Sequence, residues 1–248
     1  MTPSDNLSDR VIQGGFWVIG LRGIYQVFYF VRIIIIARIL SPDDFGLMGI
    51  AMVLMMFLEM FSQTGIQTAL IQKKNDIRGY LDAAWTILFI RGVMLYLVLY
   101  FLAPAAARFF NEPRGEILIQ VIGLFYLING ASNIGVIYFL KDLEFNKQFL
   151  YQGAKVLVEF VVAVVLAFML RSVWALIFGL LAGCLAQALV SYVIHPYRPR
   201  INLDFNKVKE LFTYGKWIFG AWGLYFLITQ GDDIFVGKVL GVTMLGFY

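Results

Sequence analysis

The sequence lacks most of what a soluble catalyst uses. Its 248 residues include one cysteine, Cys184, and one histidine, His195. That leaves no internal disulfide, no cysteine-based zinc site and no histidine cluster, so no metal site is expected. Charged residues make up 15% of the chain, against roughly 25% in an average soluble domain. The motifs G-x-x-x-x-G-K-[ST], H-E-x-x-H and G-x-S-x-G are absent. Their absence removes an ATP-driven pump and the common hydrolases, and leaves no catalytic residue or cofactor to assign. Extended polar segments are missing too; the longest break runs from His195 to Glu210, too short for the extramembrane catalytic loops of a membrane-bound glycosyltransferase. Cys184 lies inside an apolar run and reads as a small packing residue. His195, beside Pro196 in the polar break, reads as a solvated loop residue.

What is present is apolar. Hydrophobic residues are 60% of the chain and aromatics 17%, with a mean hydropathy of +0.78. A membrane-spanning helix needs about 20 such residues. Apolar runs divided by turn and charge signals predict seven helices, at Gly15–Ile39, Phe45–Ile71, Ala83–Ala107, Ile117–Leu140, Leu150–Leu170, Val173–Ile194 and Leu211–Val239. The fold class is therefore an all-α, polytopic helical membrane protein. The first run is no signal peptide: it is too long, Arg22 and Arg32 interrupt it, and no small-residue cleavage site follows.

Between the first two runs, Leu40-Ser41-Pro42-Asp43-Asp44 reads as a stop followed by a start. Ser41 is placed to cap the second helix, Pro42 suits its first turn, and both aspartates favour its positive end. In the long break, Asp204-Phe205-Asn206 reads as a helix start. Val208, Leu211 and Phe212 follow at helical spacing, predicting a short amphipathic helix on the membrane surface. The loops that fall on one side carry ten lysines and arginines and those on the other carry five, which predicts a cytoplasmic N-terminus. The same bias accounts for much of the net charge of +4 without a nucleic-acid partner.

The chain also matches itself at an offset of 200. Residues 15–48 align without gaps on 215–248, with identities at Gly15/Gly215, Trp17/Trp217, Gly20/Gly220, Gly23/Gly223, Tyr25/Tyr225, Ile34/Ile234, Leu40/Leu240 and Gly46/Gly246. Six helices precede helix seven, an even number, so helices one and seven cross in the same direction. Parallel repeats of this kind are related by an axis along the membrane normal. Tyr248 aligns with Met48, where helix two begins, so the chain is expected to be the first half, plus one helix, of a protein near twice its length.

Charge inside an apolar helix is costly, about 2.5–3.5 kcal/mol on insertion scales, and such groups usually face a cavity or a partner. On helix one, Arg22, Tyr25, Gln26, Tyr29 and Arg32 recur at spacings of three and four and share a face. Two guanidinium groups on one stripe suit an anion, which arginine can grip in bidentate fashion; tyrosines suit a sugar or a lipid headgroup. The alternative is that the arginines snorkel, or pair with Glu59 on helix two, and serve packing. Glu59, Ser62, Gln63 and Gln67 mark helix two. Tyr126, Asn129 and Asn133 mark helix four. Gln152, Lys155 and Glu159 mark helix five, where Lys155 and Glu159 form an i,i+4 pair that can neutralise itself. Gln187 and Ser191 on helix six serve cavity or interhelical bonding equally, and Arg91 stands isolated on helix three. The cavity set is thus Arg22, Tyr25, Gln26, Tyr29, Arg32, Glu59, Arg91, Asn129, Asn133 and Lys155. Asp232, Asp233 and Glu159 are candidates for ion coupling: the repeat sets Asp232 opposite Arg32, and adjacent carboxylates can raise one another's pKa and carry a proton. Lys216 is no retinal-type lysine, since it lies at the entry of helix seven with Phe212 one turn before it.

The stretch Ala37-Arg38-Ile39-Leu40-Ser41-Pro42-Asp43-Asp44-Phe45-Gly46-Leu47 resembles the junction of helices one and two in the Wzx-type polysaccharide flippases, of the same superfamily as the MATE exporters. The Gly-x-x-Trp start of helix one and Gly231-Asp232-Asp233-x-x-x-Gly237-Lys238-x-Leu240-Gly241 resemble that family as well. The resemblance implies a two-lobed, MATE-like transporter working by alternating access. Residues 1–194 would form the N-terminal six-helix lobe, 195–210 a cytoplasmic interlobe linker, and 211–248 the first, truncated helix of the C-terminal lobe. It implies an undecaprenyl-diphosphate-linked oligosaccharide as substrate in the bacterial inner membrane, surface polysaccharide or lipopolysaccharide biosynthesis as the process, and membrane lipid and glycan-biosynthesis proteins as partners. A cation-coupled drug or metabolite exporter of the same fold is the competing reading, and the helix-one arginines argue against its acidic cavity.

Overall fold

The computed structural model describes residue 20 and residues 23–62, 65–73, 77–202 and 231–247, and every described element is helical. Arg22, Gln63, the 203–210 segment and most of the seventh predicted helix lie outside these residues. Four helices are long and apolar enough to cross a membrane: α2 (Pro42–Ser62), α4 (Arg78–Phe109), α8 (Phe145–Leu170) and α9 (Trp174–Ile194). The first run is described as α1, Gly23–Ala37. Large side chains such as Phe101, Met169 and Val193 are exposed along these helices, as expected where the surrounding medium is hydrocarbon.

Two predicted spans are broken. The second run, expected to continue to Ile71, stops at Ser62; Gly65, in the left-handed region at φ 65°, precedes a separate short helix α3 (Ile66–Gln72). The fourth run is not one rod. It divides into α5 (Gly115–Ile122) and α6 (Leu124–Gly130), then a single 3-10 turn at Ile134–Val136 and α7 (Ile137–Lys141), with a bend of 68°. No proline marks that bend, so apolar periodicity alone ran through it. Asn133 makes it: its Oδ1 accepts from Gly135 N at 2.9 Å, and its Nδ2 donates to Tyr197 O at 2.7 Å.

The α1–α2 junction forms as its sequence dictates. Ser41 N donates to Asp44 Oδ2 at 3.1 Å, and Asp44 N donates back to Ser41 Oγ, a reciprocal cap with aspartate in the third helical position. The other oxygen of the same carboxylate accepts from Val173 N at 2.9 Å, where α9 starts. One side chain thus satisfies two helix N-termini and favours both dipoles.

The α8–α9 hairpin turns at Arg171, a non-glycine residue at φ 46°. Its seam is built of small side chains, with Ala163, Ala167 and Ala175 almost wholly buried. Gly179 and Gly183 form a GxxxG ridge. A methyl group on Gly179 would lie 2.6 Å from Ala163 Cβ, and one on Gly183 would lie 2.8 Å from Glu159 Cβ. Close backbone approach at small residues is how helices associate where hydrocarbon supplies no hydrophobic drive.

At the end of the chain, 231–235 is helical and a π-type turn follows at Val236–Leu240. Gly241, at φ 89°, then breaks the run before α10 (Val242–Phe247), which packs on α2. This end of the chain meets the start of α2 closely. A Cβ on Gly46 would lie 1.9 Å from Val242 O, and one on Gly246 would lie 1.7 Å from Pro42 O. Thr243 Oγ1 hydrogen-bonds Asp43 Oδ1. Residues 200 apart therefore meet reciprocally, the pattern a twofold axis produces, and neither glycine can carry a side chain without parting the helices.

Candidate functional site

Among the described residues, three gatherings of polar groups stand out within the helical body. The first lies between α1 and α8. Tyr25, Phe28, Tyr29 and Arg32 face Val156, Glu159 and Phe160 around a space of about 40 Å³. Arg32 Nη1 donates to Glu159 Oε1, with both side chains largely shielded, and the guanidinium lies 5.6 Å from the Tyr29 ring centroid. Phe28 packs edge-on to Phe160. Glu159 is thus the partner of Arg32, and its expected self-neutralisation with Lys155 is not what the geometry contains. Lys155 points instead toward Phe125, 5.8 Å from its ring centroid; among the described residues no carboxylate lies within ion-pair distance of it.

The second place joins α2 and α4. Arg91 Nη2 donates to Glu59 Oε1 at 2.6 Å and to Ser62 Oγ at 2.8 Å. Arg91 is therefore not isolated, and Glu59 answers Arg91 rather than Arg32. Its Nε is buried and meets no acceptor among the described residues. Tyr126, from the helix-four stripe, donates to Met55 O at 2.7 Å and serves packing.

The third is a cavity of about 340 Å³ among α3, α4, the α6–α7 break, α8 and α9. Its polar lining includes Gln67, Asn129, Gln148, Gln152 and Gln187, with Trp85 and Tyr151 as aromatic walls, and no charged residue lines it among those described. Trp85 is fixed by its indole N–H, which donates to Ser132 O at 3.1 Å. Of the expected cavity residues, Asn129 faces this space. Asn133 borders it too, but its amide is committed to the bend and to the 195–197 backbone. Gln26 is exposed on α1. Asp233 N bonds Asp232 Oδ1 at 3.1 Å in the 231–235 helix.

Sequence reasoning missed Trp85, Gln148 and Tyr151. Gln148 and Gln152 form an i,i+4 amide pair, a signal that was available; the pairing of Trp85 with the α6–α7 break depends on a fold that no local pattern shows. Nor is His195 merely solvated. It is half-buried, stacks on Tyr138 with ring centroids 5.7 Å apart, and accepts at Nδ1 from Tyr197 N. Burial, and then the charge of Lys147, push its pKa down. Tyr197 in turn donates to Asp82, and Asp82 accepts from Arg200 N at 3.0 Å. The start of the long break is therefore tied to the α4 end of the helical body.

Comparison with known proteins agrees with the resemblance carried by residues 37–47. The chain is 25% identical over its whole length to the succinoglycan biosynthesis transport protein ExoT of Rhizobium meliloti (strain 1021), of which it covers 50%. It is 22% identical over 98% of its length to the lipopolysaccharide biosynthesis protein WzxC of Escherichia coli (strain K12), again covering 50%. It is 20% identical over 77% of its length to the teichuronic acid biosynthesis protein TuaB of Bacillus subtilis (strain 168), covering 40%. The chain spans about half the length of the first two of these relatives. No solved structure matches it. Residues 35–248 match the family described as polysaccharide biosynthesis protein. With its apolar helices and its relatives among polysaccharide biosynthesis proteins, this multi-pass membrane chain belongs to the polysaccharide biosynthesis protein family.

Proposed function

We propose that the chain is the N-terminal portion of a flippase that carries an undecaprenyl-diphosphate-linked oligosaccharide across the bacterial inner membrane by alternating access. Residues 1–194 act as the first lobe, 195–210 as the linker, and the segment from 211 onward opens the second lobe, with the N-terminus in the cytoplasm. No bond of the substrate is made or broken. The observation that carries this reading is polar chemistry held inside a hydrocarbon-facing helical body: two arginine–carboxylate pairs, the lysine Lys155 near the Phe125 ring, and a cavity lined by amides. Lys155 is the cation best placed for a diphosphate oxygen, because Arg32 and Arg91 already hold carboxylates. Arg22, which shares the sequence stripe with Arg32, is a further candidate for the anion. Asp232 and Asp233 remain candidates to couple an ion gradient. Among the partners, this reading includes membrane lipid and the proteins that polymerise the glycan.

The test is a strain lacking the gene, complemented with full-length protein. Arg22→Ala with Arg32→Ala, and separately Lys155→Ala, are expected to reduce surface polysaccharide and accumulate lipid-linked oligosaccharide in the inner membrane. Normal polysaccharide output from both variants would overturn the proposed anion-binding role.

A further inference from the structure

The amide-lined cavity is absorbed neither by the charged pairs nor by helix packing, and its chemistry is specific. Glutamines within a membrane bundle ordinarily bond across helices. Here the side-chain amides of Gln67, Asn129, Gln148, Gln152 and Gln187 make no hydrogen bond to another described residue, and none has an enclosed, unsatisfied polar atom. They are therefore solvated by the cavity, and each presents donors and an acceptor to whatever enters. An uncharged amide left unpaired in a dry apolar site is destabilising. Five such groups around one space mark it as wet, or filled by a ligand rich in hydrogen-bonding groups.

We infer that this cavity is a binding site for an uncharged sugar ring, distinct from the charged pairs between α1 and α8 and between α2 and α4. Sugar hydroxyls donate and accept at once, as amides do, so amides match them without fixing a charge. The Trp85 and Tyr151 rings supply flat apolar walls for the carbon face of the ring. The absence of charged residues from the described lining disfavours a phosphate and a cation alike. A volume of about 340 Å³ stands at the low end of small-ligand sites, about 300–1,000 Å³, enough for a sugar unit and not for a long glycan. Gln152 precedes Lys155 by three residues on α8, roughly 4.5 Å at 1.5 Å per residue. A diphosphate near Lys155 and its attached sugar in the cavity are thus compatible with a single molecule. The inference deepens the flippase reading and rests on it for the identity of the ligand. By the loop-charge orientation, the cavity lies toward the cytoplasmic end, near Lys73, Lys141 and Lys147.

The test uses full-length protein in detergent carrying Asn129→Cys, with Cys184→Ala to remove the native thiol. One probe is the phosphate-free repeat oligosaccharide released by mild acid from the host's own surface polysaccharide; the other is inorganic pyrophosphate. The oligosaccharide is expected to slow maleimide labelling of the new thiol and to quench tryptophan emission, with the quenching lost in Trp85→Phe. Pyrophosphate is expected to leave labelling unchanged. Gln152→Leu with Gln187→Leu is expected to weaken the oligosaccharide effect about tenfold, the loss of two modest hydrogen bonds. Labelling that is insensitive to the oligosaccharide in the Asn129→Cys protein, whose other four amides are intact, overturns the site whether or not the leucine variant folds. Protection by pyrophosphate equal to that by sugar overturns it as well. If the protein translocates lipid-linked oligosaccharide but shows no sugar protection, the site falls and the flippase reading stands. If sugar protects and translocation is absent, the site stands and the flippase reading falls.

Discussion

The α1–α8 pocket and the amide cavity share a helix, α8, yet they hold polarity by opposite means. In the first, Arg32 and Glu159 neutralise each other in a space of about 40 Å³, so the charge is stable because the partner is present. In the second, about 340 Å³ of space is surrounded by groups that do not need one another. A paired charge is sensitive to removal of either member, whereas a solvated amide can be lost at little structural expense. The first region should therefore report on folding as well as transport, and the second on ligand alone. That difference gives a direct way to separate the two roles experimentally.

The largest effect is expected from Glu159→Leu. Removing one member of a shielded ion pair leaves an uncompensated charge, which costs roughly 3–5 kcal/mol when fully buried; the partial exposure of Arg32 places this case at the lower end. Thermal unfolding in detergent should show a clear loss, and Arg32→Leu with Glu159→Leu should recover most of it. A double variant as unstable as the single one would break the comparison by showing that packing, not charge, dominates the pocket. Next is Gly183→Leu, which forces a side chain into Glu159 and the α8 backbone. Overpacking of this kind costs about 1–3 kcal/mol, and cross-linking between cysteines placed on α8 and α9 should report the separation.

Asp44→Ala ranks third. Loss of a helix cap costs about 0.5–2 kcal/mol, and this carboxylate serves both α2 and α9, so a value at the upper end is expected from denaturant titration. The smallest effect concerns pH. His195 has a depressed pKa in the fold, so the unfolded chain binds more protons than the native one as pH falls below the ordinary histidine value near 6.5. Its contribution is present above that value and is lost on acidification through the lower folded value. Hydrogen exchange at 195–200 should quicken at mildly acid pH in the native protein, and His195→Phe should remove that dependence. Exchange that is pH-independent beyond the intrinsic chemistry would show that His195 does not hold the segment.

The sequence carried the helical class and the α1–α2 junction down to its cap. These are legible because capping and apolar spacing are local or periodic. The breaks at Gly65 and at Asn133 were hidden inside apolar runs, since hydropathy does not register a change of direction. Charge partners were misjudged for a related reason. Helical spacing offers Lys155 to Glu159, but only the packing of α1 on α8 brings Arg32 closer. The amide cavity is legible in pieces, as Gln67, Asn129, Asn133, Gln152 and Gln187, and its unity depends on five elements meeting.

Transport of the lipid-linked oligosaccharide by purified full-length protein tests the central claim most directly. In proteoliposomes loaded with the radiolabelled lipid-linked repeat unit, a membrane-impermeant glycosidase should reach nearly all of the label over time with the native protein. Without protein it should reach only the outer-leaflet half, and with Lys155→Ala it should lag well behind the native rate. Label that stays half-protected in the presence of active, folded native protein would contradict the account.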